Sequence, residues 1–138
     1  NERGIVFCLA GFTDADAAQK IPSKYSKKYS FKDPVKIAEQ IFTPKYIKPS
    51  EYNMIIAVSH NGLESAREMA QKAPLINFII YIDGETKKTG QPGYSQAGAT
   101  YLLPSKIEKN KVACAKFEFI YERKQRIIKE PRFSFKEL

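Results

Sequence analysis

Three short runs of apolar residues mark segments of regular structure in the first part of the chain. They lie at residues 4–11, 53–58 and 75–82. Nearly uninterrupted apolar runs of this length, bounded by glycine, proline or polar residues, are typical of parallel strands that are covered on both faces. We therefore predict three buried strands.

Two helical patterns lie between these strands. Asp33 and Pro34 supply an N-cap residue followed by proline at the first helical position, and apolar residues continue at near-helical spacing to Phe42. After the middle strand, a second pattern with one apolar and one charged face begins at Leu63 and is stopped by Pro74. The alternation of strands and helices predicts a parallel βαβαβ arrangement.

The remaining segments are more polar. Residues 15–32 show no sustained period and are predicted to form a long surface excursion, and residues 83–93 are predicted to form a loop. Apolar and polar residues alternate over 112–121, which indicates strands with one buried face. The predicted fold class is α/β, of the α+β sandwich type, with a parallel βαβαβ start followed by antiparallel strands. Residues 1–138 are predicted to form a single domain.

The composition adds a basic balance of charge to this picture. The 138 residues include 23 Lys and Arg against 15 Asp and Glu, a formal net charge of +8. This charge favours an anionic partner, whether a small molecule such as a nucleotide, a nucleic acid or an acidic surface. The basic residues are scattered and no RNA-binding motif accompanies them, so the sequence disfavours nucleic acid. No apolar run approaches the roughly 18 residues of a membrane helix, and no membrane partner is expected. Cys8 and Cys114 lie in apolar segments and are predicted to be buried thiols rather than metal ligands.

Polar residues directly after the predicted strands are the candidates for chemistry, because functional residues of open α/β sheets gather beyond the carboxyl ends of the strands. These positions hold Thr13, His60 and Asp83. An imidazole at His60 is suited to ligate a metal, bind phosphate or transfer a proton, although a loop or capping histidine fits the same position. Asp83 and Glu85 are spaced to share a divalent cation, but an Asp-Gly-Glu surface turn has the same pattern. From the residues alone, both the functional and the structural interpretation stay open for His60 and for the Asp83 and Glu85 pair.

Four sequence segments occur in a familiar order along most of the chain. They are GIVFCLAGFT at 4–13, YSFKDPV at 29–35, NMIIAVSHNG at 53–62 and YSQAG at 94–98. In this order they resemble the later part of the catalytic domain of calcineurin-like metallophosphoesterases, in the branch of 5'-nucleotidases and UDP-sugar hydrolases. The third segment resembles that family's strand ending in Ser-His-x-Gly, whose histidine binds a metal.

Two departures from the family pattern bear on function. Where the family has Gly-His-Thr-His, this chain has Asp83-Gly84-Glu85, so carboxylates stand in place of two metal-binding histidines. The family's D-x-H, G-D and G-N-H-E/D motifs, which supply most metal ligands and the acid dyad, do not occur in these 138 residues. Because a dinuclear centre needs ligands from both halves of the domain, the chain alone is not expected to hydrolyse its substrate.

The resemblance implies one function and leaves one alternative. It implies the carboxyl-terminal half of a metal-dependent phosphoesterase that acts on nucleotides or related phosphoesters, complemented by an amino-terminal half or by a homodimer partner. His60, Asp83 and Glu85 would then hold Mn²⁺, Zn²⁺ or Mg²⁺, and Thr13 and Asn61 would bind substrate. The alternative is a non-catalytic binding module of the same fold that has lost its metal centre. Since the family is often exported, the resemblance also implies a periplasmic or extracellular location.

Overall fold

The structure is a computed structural model, and its centre is a mixed sheet of five strands. It describes residues 6–26, 28–48, 50–82, 94–105, 111–116, 119–122, 125–128 and 132–137. The strands of the central sheet are β1 (Phe7–Phe12), β2 (Met54–Ser59), β3 (Phe78–Ile82), β4 (Ser95–Ala97) and β5 (Thr100–Ser105). Their spatial order is β1-β2-β3-β5-β4, with β4 antiparallel to β5 and the other neighbours parallel. The predicted α/β fold class is confirmed.

Four helices accompany the sheet in the described part of the chain. They are α1 (Ala17–Lys20), α2 (Ser23–Ser26), α3 (Pro34–Ile41) and α4 (Leu63–Lys72). The carboxylate of Asp33 caps α3, because its Oδ1 accepts hydrogen bonds from the Val35 and Lys36 backbone N–H groups at 2.9 and 3.3 Å. The two longer helices are the predicted ones, and α1 and α2 are single turns within the predicted surface excursion. None of the described helices has the length and hydropathy needed to cross a bilayer.

Two small antiparallel sheets make up the last part of the chain. Their strands are β6 (Lys111–Lys116), β7 (Phe119–Glu122), β8 (Gln125–Ile128) and β9 (Arg132–Glu137). β6 pairs with β9, and β7 pairs with β8. The predicted change from parallel to antiparallel strands is therefore confirmed.

One face of the central sheet is covered by α3 and α4. Alternate side chains of β1 to β5 pack there against the apolar faces of both helices. The buried residues of this core are Val35, Ala38, Phe42, Ile55, Ala57, Ala66, Met69, Ala70, Ala73, Ile76, Ile79, Tyr81 and Leu102. Phe12 at the end of β1 joins this core and lies against Phe42, with ring centroids 6.0 Å apart. This face holds most of the apolar burial in the described part of the chain.

The opposite face is covered unevenly. Met54, Phe78 and Leu103 are buried there, but Leu9 is 68% exposed, Phe7 is about half exposed, and Val58 is also exposed. The expectation that strands 4–11 and 53–58 are covered on both faces is therefore wrong for β1 and the end of β2. An apolar run indicates that both faces of a strand are apolar, but it does not indicate which helices, strands or partners pack on them.

We call the less covered part of this face the open patch. It consists of the outward-facing residues of three neighbouring strands, of which four are exposed, Phe7, Leu9, Gly11 and Val58, and three are half-buried, Ile56, Ile80 and Ile82. None of them carries a charge. A contiguous apolar surface of this kind is typical of a protein interaction site.

Two asparagines fix the register of the parallel strands. The Asn53 N–H donates to the Val6 carbonyl oxygen at 2.8 Å, and the Asn53 Oδ1 accepts from the Val6 N–H at 2.8 Å. Asn77 makes the same pair of bonds with Ile55, at 2.9 and 2.8 Å. Each asparagine directly precedes a strand. Its two hydrogen bonds form a closed ring with one residue on the neighbouring strand segment, Val6 just before β1 or Ile55 in β2. The side-chain amide thus continues the sheet hydrogen bonding by one residue.

These two asparagines are expected to differ in their contribution to stability. Asn77→Ala removes the acceptor of the Ile55 N–H, which lies in the core, and should lower the free energy of unfolding by about 1–3 kcal/mol. Asn53→Ala frees the N–H of Val6, which is exposed and can bind water. This change should lower the free energy of unfolding by less than about 1 kcal/mol. Urea unfolding followed by far-UV circular dichroism measures both. Equal losses would show that burial of the partner N–H is not what sets the effect.

Candidate functional site

A cleft of about 470 Å³ lies at the carboxyl edge of the central sheet, at one end of the open patch. It is lined by residues at the ends of all four parallel strands, Gly11, Phe12, Thr13, Val58, Ser59, His60, Ile80, Ile82 and Ser105. Its volume falls in the usual range of small-molecule sites. The cleft is the place where an open α/β sheet is expected to hold its functional residues.

Backbone hydrogen bonding brings Thr13 and His60 to the same edge. The His60 N–H donates to the Phe12 carbonyl oxygen at 2.9 Å, which joins the carboxyl ends of β1 and β2. Both His60 and Thr13 line the cleft, and both are exposed. Two of the three residues predicted to lie beyond the strand ends, Thr13 and His60, therefore share one cleft.

Asn61 points its polar atoms into the turn that leads to α4. Its backbone N–H donates to the buried Ser59 Oγ at 3.3 Å, and its Nδ2 donates to Ser65 Oγ at 3.2 Å. The Oδ1 atom is buried and has no hydrogen-bond partner among the described residues. Asn61 does not belong to the cleft lining. Its role in substrate binding stays a prediction.

Asp83 and Glu85 lie outside the described residues. The described chain reaches Ile82, which lines the cleft, so the predicted carboxylates follow directly after a cleft residue in the sequence. Their predicted role as metal ligands stays a prediction.

The described cleft residues do not by themselves fit a divalent metal. His60 is the one ionisable residue of the lining, and the hydroxyl residues Thr13, Ser59 and Ser105 are neutral. No group of three or more His, Cys, Asp or Glu side chains in the described part of the chain is placed to hold a metal ion. Zinc sites use several nitrogen, sulfur or carboxylate ligands, and Mn²⁺ and Mg²⁺ prefer carboxylates. A metal at this cleft would need donors from residues outside the described ranges or from a partner.

Several cleft residues were not predicted. Ser105 adds a hydroxyl from a fourth parallel strand, and Gly11 leaves space, because a Cβ built there meets no atom within 4 Å. Val58, Ile80 and Ile82 give the cleft an apolar wall. The cleft therefore combines a small polar rim with an apolar floor that is continuous with the open patch.

Cys8 is not part of this site. It lies in β1 and packs against the core on the helix-covered face. Partial burial raises the pKa of its thiol, so the neutral form dominates at pH 7 and the residue is a poor nucleophile.

Comparison with known proteins identifies no family. No family model matches the chain, and no curated protein matches it. The resemblance to metallophosphoesterases therefore stays a prediction based on the sequence segments given above.

Proposed function

We propose that this chain is one half of a metal-dependent phosphoesterase domain, inactive alone, which acts on nucleotides or related phosphoesters once a complementary half covers its open patch. The observation that carries the proposal is the open patch itself, which adjoins the candidate cleft. Parallel sheets are normally covered on both faces, and in this sheet Leu9, Phe7 and Val58 leave apolar surface in water.

The position of the cleft supports the same proposal. Gly11, Val58, Ile80 and Ile82 belong both to the open patch and to the cleft lining. A partner that packs on the patch therefore also forms a wall of the cleft. The partner would supply further metal ligands at the cleft. From this chain, His60 would bind the metal together with Asp83 and Glu85, which stand in place of the family's histidines.

The apolar lining of the cleft favours a second candidate function. His60 is the one ionisable group that the described residues contribute, and most of the wall is aliphatic. A non-catalytic module that binds a partner or ligand through the patch and cleft would need no further ligands. This candidate predicts the same interface as the first but no hydrolysis.

Metal binding and turnover separate the two functions. Titration of the chain with Mn²⁺ by calorimetry is expected to show binding that weakens at least about tenfold in His60→Ala, since even loss of a group that only orients a metal ligand has an effect of this size. Hydrolysis of bis-p-nitrophenyl phosphate is expected to be absent for the 138-residue chain alone. Once the complementary half is present, hydrolysis should be measurable and should fall at least about tenfold in His60→Ala.

A matched control is Gln40→Ala, an exposed change on α3 that does not touch the cleft lining. It should leave both measurements unchanged. If His60→Ala also leaves Mn²⁺ affinity and turnover unchanged, the phosphoesterase proposal is wrong and the non-catalytic module is favoured.

A further inference from the structure

A second group of exposed apolar side chains lies away from the sheet, and all its members are tyrosines. Tyr29 and Tyr46 are 61% and 66% exposed, and Tyr25 is also exposed. Each is directly preceded by a lysine, which gives three Lys-Tyr pairs, Lys24-Tyr25, Lys28-Tyr29 and Lys45-Tyr46. Two of these lysines lie against the ring that follows, with Nζ 4.7 Å from the Tyr25 centroid and 5.1 Å from the Tyr46 centroid.

Two of the pairs belong to a strongly basic segment. Residues 17–32 contain five lysines and no aspartate or glutamate. The four lysines that the structure describes there, Lys20, Lys24, Lys28 and Lys32, are all exposed, and none forms an ion pair with a described residue. By contrast, Lys48, Arg67 and Lys72 are each paired with a glutamate three or four residues away. The lysines of this segment are therefore not ion-paired within the described structure.

The segment is folded into successive turns. The Tyr25 N–H donates to the Pro22 carbonyl oxygen at 2.8 Å, and the Lys28 N–H donates to the Tyr25 carbonyl oxygen at 2.9 Å. Tyr25 and Tyr29 thus stand four residues apart in the sequence, each beside a lysine, and both are exposed. We call the described residues Lys20, Lys24, Tyr25, Lys28, Tyr29 and Lys32 the lysine–tyrosine segment.

We infer that the lysine–tyrosine segment binds single-stranded nucleic acid, with the lysines on the phosphates and the tyrosine rings stacked on the bases. Aromatic rings spaced along a positively charged surface are the usual means of binding single strands without regard to sequence. An acidic peptide would use the lysines but leaves the tyrosine faces without a partner of matching shape. Binding to a membrane surface through an amphipathic helix needs a longer helix with a wide apolar face, whereas α1 and α2 have four residues each.

This inference departs from the expectation that the scattered basic residues of the sequence disfavour nucleic acid. The sequence does not show which lysines form ion pairs with glutamates, and the structure does. The inference does not rest on the proposed phosphoesterase function, because it uses none of the residues of the cleft or the open patch.

Binding of a fluorescein-labelled dT12 oligonucleotide, measured by fluorescence anisotropy between 50 and 200 mM salt, tests the inference. The double variant Tyr25→Leu/Tyr29→Leu is expected to bind at least about tenfold more weakly, because each stacked base contributes a severalfold to more than hundredfold gain in affinity. Since the chain has no tryptophan, its intrinsic emission comes from tyrosine, and dT12 should quench it in the wild type more than in this variant. A merely solvated tyrosine would give no such difference.

The lysines are tested with a charge-matched control. Lys24→Gln/Lys28→Gln should weaken binding and reduce the slope of log K against log[salt] by roughly 1.4, about 0.7 for each phosphate that the variant no longer neutralises. Lys48→Gln/Lys72→Gln removes the same charge from lysines that are ion-paired and should have little effect.

Three results would overturn the inference. They are no dT12 binding at 50 mM salt, equal weakening by the two lysine double variants, and displacement of dT12 by phosphatidylserine vesicles or poly-glutamate at matched charge concentration. The second would show a general effect of net charge. The third would assign the segment to a membrane surface or to an acidic protein.

Discussion

Replacing Phe78 with alanine is expected to lower the free energy of unfolding by about 3–5 kcal/mol, as large aromatic deletions from a core do. Phe78 is 1% exposed and lies in β3, between β2 and β5 on the less covered face of the sheet. Its ring stacks on Tyr101 at a centroid distance of 5.3 Å, and Tyr101 in turn meets Tyr94 edge-on at 5.7 Å. A domain of this size is stable by about 5–15 kcal/mol, so the loss would be a large fraction of the total.

Urea unfolding followed by circular dichroism measures this effect. Phe78→Leu keeps most of the apolar volume and should lower the unfolding free energy by only about 1–2 kcal/mol, so it remains measurable if Phe78→Ala does not fold. Tyr29→Ala, an exposed aromatic deletion, should change it by less than about 0.5 kcal/mol. A loss for Phe78→Ala as small as that for Tyr29→Ala would show that the aromatic cluster is not a core.

The elements of the parallel half of the fold could be predicted because their signals are local. Asp33 and Pro34 define the start of α3 by hydrogen bonding and by a fixed backbone angle, and both act within one turn. The apolar runs of β1, β2 and β3 likewise predict strands without any knowledge of their partners. The apolar runs could not predict which faces of the strands are covered by other elements, because the burial of Leu9 or Val58 depends on elements that are distant in sequence.

β5 shows why part of the site was missed. Its sequence ends in Leu103-Pro104-Ser105, and a proline argues against the interior of a paired strand. Here β4 pairs only with residues 100–102, so Pro104 lies where one side of β5 has no neighbour in the described sheet, and its missing N–H is tolerated. Parallel pairing with β3 then extends the strand to Ser105, which lines the cleft.

The two predicted residues of the cleft share the same position relative to the sheet. Thr13 and His60 each follow directly on a parallel strand, and parallel neighbours in register end at the same edge. Asn61 is one residue further on, where the chain has already turned towards α4, and its amide bonds within that turn instead. Proximity at a sheet edge is thus set by strand ends, and one residue of turn is enough to remove a side chain from the cleft.

The variant Leu9→Glu/Val58→Glu is expected to abolish association through the open patch while leaving the fold intact. Both side chains are exposed in the described structure, so glutamates there can stay in water and the unfolding free energy should change by less than about 1 kcal/mol. Under a partner, the same glutamates would be buried without a counter-charge, which weakens association by at least about 100-fold, or about 2.7 kcal/mol. The patch is apolar throughout and offers them no cation.

Sedimentation velocity over a range of protein concentrations measures this effect for self-association, and binding of the dye ANS reports the exposed apolar surface. The wild-type chain is expected to associate and to enhance ANS fluorescence, and the double variant to remain monomeric with weaker dye binding. The control is Tyr29→Glu/Tyr46→Glu, which also replaces two exposed apolar side chains and changes the net charge equally, but lies off the sheet. If both double variants reduce association alike, the effect comes from charge or total apolar exposure. If only the patch variant does, the uncovered side of β1 and β2 is the interface, and a partner placed there also closes the cleft at His60.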